Sequence, residues 1–262
     1  MTSSHVGAGD EEARTVAEHS DGPSGEPRPG HGEHHHRDVQ GGAARAAVFG
    51  VSDGLVSNVG LILGVAGADP APSIVRLAGL AGLIAGAISM AAGEYNSMKV
   101  QSELLERELE LERIEIERHP EVETAELAGV YEARGMDAGQ ARDLAETVMA
   151  DPEVALETHA REELGVDPAQ LGSPVGAATS SLAAFSLGAL VPLVPWFVGS
   201  GAGATVASLV AALVAAVVVG SAIGRFTGRS LARTATRQVL FTLVPALLTY
   251  AVGSAVGVGA VS

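Results

Sequence analysis

Cysteine is absent from all 262 residues, which excludes disulfides and thiolate ligands and leaves oxygen, imidazole and thioether as the donors for any bound metal. Aromatic residues are scarce at 3%, although 47% of the chain is hydrophobic and 33 residues are glycine. With a positive mean hydropathy, this is the composition of a membrane protein rather than of a soluble core. No Walker A loop, nucleophile elbow or His-Glu-x-x-His sequence occurs, so no enzyme centre is visible and the chain is read as a non-enzyme. Lysine is nearly missing, Lys99 being the one lysine among 16 basic residues. That bias, with abundant Ala, Gly and Val, hints at a GC-rich bacterial genome.

Charge is missing over long stretches. From Pro168 to Gly224 no residue is charged, and a single span needs only about 20 residues, so this run crosses a bilayer more than once. Hydropathy predicts five spans: Ala46 to Ala68, Ile74 to Met98, Pro174 to Val198, Ala202 to Gly224, and Gln238 to about Gly259. Pro192 and Pro195 should kink the third. Ser73, after the short Asp69-Pro-Ala-Pro turn, is a candidate cap for the second helix. A basic loop bearing Arg225, Arg229, Arg233 and Arg237 is expected before the last span. Positive loops stay cytoplasmic, which puts the N-terminus inside and, with five spans, the C-terminus outside.

Charge is concentrated between the second and third spans. Glu94 to Asp167 holds 21 acidic and seven basic residues, most of the chain's net −15. Nucleic acid is excluded as a partner, because its phosphates would be repelled, whereas cations are drawn to such a surface. No proline interrupts the chain from Ile74 to Arg118, so one helix should leave the membrane and continue as an acidic rod. Val100, Leu104, Leu111 and Ile114 form an apolar stripe on it, suited to a neighbouring helix or a second subunit. Glu108, Glu112 and Glu115 fall on another face. Beyond Pro120, helices are expected from Glu121 to Arg134, from Asp137 to Met149, and from Asp151-Pro152 to about Leu164. Glu123 and Glu126 stand at i, i+3, and Met149 and Glu153 straddle a junction. Paired glutamates on successive helices build divalent-metal sites, and they also arise on any solvated acidic helix; spacing alone does not separate the two.

Asp53 is the one charge inside the first span. A carboxylate there costs a few kcal/mol on insertion scales, so it should face a bundle interior or an aqueous pathway and bind or relay a cation. Met90 of the antiparallel second span falls at a similar depth, and Glu94 lies one turn nearer the membrane edge as a relay. The small-residue pairs Gly82/Gly86, Gly220/Gly224 and Gly253/Gly257 permit close helix contact and are expected to support a homodimer. Residues 1–40 read as a disordered tail with no signal-peptide core, whose His31, His34, His35 and His36 are able to capture divalent metal loosely.

The segments Ser52-Asp-Gly-Leu55 with Asn58, then Gly86-Ala-Ile-Ser-Met-Ala-Ala-Gly-Glu-Tyr95 with Ser97, the acidic helix, and Gly188-Ala-Leu-Val-Pro192 resemble the vacuolar iron transporter family over about residues 38–260. The resemblance implies an all-α polytopic membrane protein: transmembrane helices 1 and 2 in 41–98, a cytoplasmic helical metal-binding domain in 99–170, and transmembrane helices 3 to 5 in 171–262. It implies a dimeric, proton-coupled antiporter exporting Fe(II), in some members Mn(II), as substrate and with no cofactor. Asp53 and Met90 match its pathway positions, with Asn58 and Glu94 in the same motifs. Glu112, Glu115, Glu123, Glu126, Met149 and Glu153 match its metal-binding pattern. For a bacterium the plasma membrane replaces the vacuole. The alternative is a membrane metal sensor that binds cations and transports nothing; Asp53 argues against it, since a sensor needs no ionisable group inside the bilayer.

Overall fold

The computed structural model describes residues 42–167 and 172–261, so the histidines of the tail lie outside the described residues. Among the described residues there are nine helices and no strand. Helix α1 (Gly42–Gly67) turns at 68–71 into α2 (Pro72–Arg118), whose 47 residues make a rod of roughly 70 Å at about 1.5 Å per residue. Pro72 opens α2, where a missing N–H costs nothing, and the capping residue Ala71 supplies no side-chain bond. Ser73 is therefore not the cap; it sits inside the first turn.

Pro120 ends the rod by starting a new helix, α3 (Pro120–Ala133), followed by α4 (Ala138–Met149) and α5 (Pro152–Glu162). Asp137 caps α4 by accepting from the Gly139 N–H, and Asp151 caps α5 by accepting from the Glu153 and Val154 N–H groups. This insert between the second and third spans has a small core of Leu127, Ala128, Ala141 and Ala145, with Tyr131 and Val148 against it. Arg134 donates through both Nη atoms to Glu162, tying the end of α3 to α5. Helix α5 folds back onto α2.

The remaining helices are α6 (Pro174–Leu193), the short α7 (Pro195–Val198), α8 (Gly201–Thr227) and α9 (Leu231–Val261). Pro195 breaks the third span, opening α7 just after Val194, whereas Pro192 is held inside α6, which runs on to Leu193. Five helices, α1, α2, α6, α8 and α9, are long and apolar enough to cross a membrane. The basic loop is shorter than hydropathy suggests. Gly228, with φ +66, ends α8; Arg225 lies in the last turn of that helix, and Arg233 and Arg237 already belong to α9. Arginine lowers hydropathy without lowering helix propensity, so the helix starts before the apolar span does.

Helix α1 is the hub, packing on α2, α6, α8 and α9. Its Leu55, Val59 and Ile62 are fully buried with Leu193 and Ala246. Gly188 of α6 lies so close to α1 that an added Cβ would stand 2.2 Å from the Val51 carbonyl oxygen. The three small-residue pairs are consumed inside the chain: Gly82 and Gly86 face Leu61 and Phe185, Gly220 and Gly224 face Ala235 and Thr234, and Gly253 and Gly257 face Gly64 and Ala68. Glycine permits these approaches because no side chain separates the backbones.

Candidate functional site

Two constellations of metal-capable side chains stand on α1 and α2 and on the insert. The first is a cavity of about 380 Å³ between α1 and α2, whose lining includes Asp53, Asn58, Met90 and Glu94. Helical periodicity places them there: Asp53, Ser57 and Leu61 recur every four residues on one face of α1, and Gly82, Gly86, Ser89, Met90 and Gly93 on the facing side of α2. The ring of Phe185 closes it from α6 and occupies the space a side chain at position 86 would need.

Asn58 is buried and donates through Nδ2 to the Ala189 carbonyl oxygen at 2.7 Å, which fixes the amide; its Oδ1 has no hydrogen-bond donor. A buried oxygen held in place without a donor is a ready cation ligand. Asp53 and Met90 are half-buried, supplying one hard and one polarizable donor in the same cavity. At one end Glu94, 8% exposed, accepts from Arg45 Nη2 at 2.9 Å. Arg45 itself is exposed, so a buried carboxylate here is neutralised by a cation that can leave into water.

The second constellation lies where α5 folds onto α2. Glu112, Glu123, His159 and Glu163 each offer a ligand atom, all within 4.8 Å of one another. His159 is fully buried, and its Nδ1 stands 3.0 Å from Glu163 Oε1, 3.1 Å from Glu112 Oε1 and 3.8 Å from Glu123 Oε2. Two buried atoms here lack hydrogen-bond partners, Glu112 Oε1 and His159 Nε2. The Glu112 oxygen is near Nδ1 without the geometry of a hydrogen bond, so the proximity is electrostatic. Burial pushes the Glu112 carboxyl up to about 7; His159 opposes this, while Glu163, Glu123 and Glu115 add to it by repulsion. Glu123 is raised too, by burial first and then by Glu126. A metal-free cluster of this kind is destabilised by its own charges, and a divalent cation relieves both the repulsion and the missing partners.

Of the six residues expected to hold metal in the insert, Glu112 and Glu123 point inward into this cluster. Glu115 and Glu126 are exposed at its edge, near enough to repel the inner carboxylates. Met149 ends α4 and Glu153 lies in the first turn of α5, both outside the four-residue group. The i, i+4 pair that α5 presents to Glu112 and Glu123 is instead His159 and Glu163, which spacing did not single out. Their signal in the sequence was a histidine four residues before a glutamate in an acidic helix.

Residues 44–254 match the VIT family. The chain belongs to the VIT family. It is 31% identical over 182 residues to vacuolar iron transporter 1 of Oryza sativa subsp. japonica, covering 68% of this chain and 72% of that one. It is 39% identical over 153 residues to the vacuolar iron transporter of Acanthamoeba castellanii, covering 58% of this chain and 55% of the amoebal protein, little more than half its length. Identity to vacuolar iron transporter 1 of Eucalyptus grandis is 35% over 169 residues, 64% and 68% of the two chains. VIT family proteins are transporters, not enzymes, and the five apolar helices make this member a multi-pass membrane protein.

Proposed function

We propose that the chain is a proton-coupled antiporter that exports Fe(II), and also Mn(II), from the cytoplasm, working as a homodimer in the cell membrane. The observation that carries this reading is the gathering of Asp53, Asn58, Met90 and Glu94 around one cavity between two membrane-spanning helices; the names of the vacuolar iron transporters it resembles supply the substrate. The arginines at the α8–α9 turn and Arg45 favour a cytoplasmic placement of that end of the bundle, and hence of the insert.

Metal is first gathered by Glu112, Glu123, His159 and Glu163. Three carboxylates and one imidazole suit Fe(II) and Mn(II) alike, with no thioether to separate them; Met90 in the cavity is the softer donor. The cation then displaces Arg45 from Glu94, passes to Asp53, Asn58 and Met90, and competes there with a proton for the Asp53 carboxylate. Ionised Asp53 is costly in the membrane without a cation or proton beside it, so one or the other stays bound. Loading from the cytoplasm expels a proton, and a proton from the more acidic outer side expels the metal, so an inward proton gradient drives export.

A homodimer is favoured by the outward-facing polar groups of the same cavity. Ser57 and Ser89 are exposed on a single chain at membrane depth, where lipid gives a hydroxyl no partner outside its own helix. Val100, Leu104 and Leu111 are exposed on the part of α2 beyond the membrane, where water would otherwise meet them. A second copy laid along α2 covers both. The test is iron flux into metal-free proteoliposomes with an imposed pH gradient. Accumulation should depend on an acidic lumen; binding without flux would indicate a sensor, and flux indifferent to pH would refute antiport.

A further inference from the structure

Four arginines crowd the turn between α8 and α9, in a chain whose net charge is −15. Among the described residues, the ion pairs of lysine and arginine engage Arg45, Lys99, Arg113, Arg134, Arg142 and Arg161. None engages Arg225, Arg229, Arg233 or Arg237. Two of the four line a surface groove of about 540 Å³: Arg233 and Arg237, one helical turn apart on α9, together with Ser230, Thr236, Leu240 and Phe241.

The groove is amphiphilic along the helix axis. Guanidinium and hydroxyl donors stand at the end near the turn, and Leu240 and Phe241, one to two turns deeper, are 51% and 60% exposed. The apolar strip continues down α9 through Val244 and Leu248, both exposed. Two guanidinium groups at i, i+4 lining one groove offer N–H donors suited to phosphate oxygens, and an apolar floor leading into a membrane span matches an acyl chain. A free phosphate ion would use the first feature and leave the second without purpose. The turn lies at the end of the bundle from which α2 projects, since the spans alternate in direction and α8 and α9 meet there.

We propose that this groove is a binding site for an anionic phospholipid, its phosphate held by Arg233 and Arg237 with the hydroxyls of Ser230 and Thr236, and one acyl chain lying on Leu240 and Phe241. The site gives the chain something it needs. Residues 94–167 carry 21 acidic against seven basic residues and are repelled by an anionic leaflet. Holding an anionic lipid at the α8–α9 turn keeps this end of the bundle seated at the leaflet surface while the insert stands off from it.

The test uses the full-length protein in mild detergent, titrated with phosphatidylglycerol or with phosphatidylcholine of the same chains, and with glycerol phosphate as the soluble headgroup; bound lipid is counted by native mass spectrometry. Phosphatidylglycerol should saturate one site per chain, with phosphatidylcholine and glycerol phosphate at least tenfold weaker. R233Q/R237Q should bind phosphatidylglycerol roughly 30-fold more weakly, from about 1 kcal/mol per arginine. R76Q, which removes an arginine from the opposite end of α2, should bind as the wild type does. If the double variant does not fold, R237Q measured in the same way should lose several-fold. F241A should weaken the lipid and leave glycerol phosphate unchanged. Equal binding of the two lipids, glycerol phosphate as tight as phosphatidylglycerol, or undiminished binding by a folded R233Q/R237Q or R237Q would each overturn the proposal.

Discussion

Lowering the pH from 8 to 6 should weaken metal binding by the insert about tenfold through Glu112 alone. The Glu112 carboxyl is pushed up to about 7, chiefly by burial and then by the carboxylates around it, with His159 opposing. With that value, roughly nine-tenths of the metal-free protein carries the ionised carboxylate at pH 8 and roughly one-tenth at pH 6. A cation needs the ionised form, so protons compete with it across this window and cease to compete above it. The same displacement acts on folding. The ordinary value is 4.5, so between 4.5 and about 7 the native metal-free chain holds a proton that the unfolded chain has released. Its stability therefore falls as the pH rises through that window, and bound metal reverses the loss. The assay is calorimetric titration of the detergent-solubilised protein with Mn(II) at pH 6, 7 and 8, beside Glu112→Gln. Every other group of the cluster is common to the two proteins, so the difference between them isolates the Glu112 carboxylate. Glu112→Gln should bind more weakly at pH 8 and show a shallower slope. A wild-type affinity that changes less than twofold from pH 8 to 6, or a slope untouched by the substitution, would refute the assignment.

Three further outcomes follow from the geometry. Arg45→Gln removes the cation that Glu94 now holds and should lower the apparent KM for transported metal severalfold, whereas Glu94→Gln should raise it; matching shifts in the two variants would remove Glu94 from the path. His159→Ala should weaken metal binding by the insert tenfold or more while Met149→Ala changes it little, and the reverse ranking would restore the thioether as a ligand. Gly188→Ala places a Cβ 2.2 Å from the Val51 carbonyl oxygen, where neither backbone yields freely, so about 2 kcal/mol and a fall of several degrees in Tm are expected. An unaltered Tm would contradict the α1–α6 contact.

The spans were legible because the bilayer imposes a length that no soluble core needs, and the helices of the insert because Pro120, Pro152, Asp137 and Asp151 punctuate them with known backbone preferences. The cluster in the insert was half legible. Glu112 and Glu123 could be placed on helices, but Glu108 and Glu115 have equal claim by periodicity; which of them turns inward depends on where α5 crosses α2, a tertiary fact. Met149/Glu153 and His159/Glu163 have the same i, i+4 spacing, and only the return of α5 onto α2 distinguishes them. The ion pair of Arg45 with Glu94 joins residues 49 positions apart and leaves no local trace. The glycine pairs, expected to support a homodimer, meet α1, α6 and α9 of the same chain instead, because spacing marks a close contact without naming its partner.

The central claim of the proposed function is that metal and proton compete for the Asp53 carboxylate. Asp53→Asn keeps the shape of the side chain and removes its titration. Reconstituted beside the wild type in liposomes with an acidic lumen, it should lose gradient-driven iron accumulation while metal binding by the insert stays within about twofold. Iron accumulation by Asp53→Asn at the wild-type rate, still dependent on the pH gradient, would contradict the account.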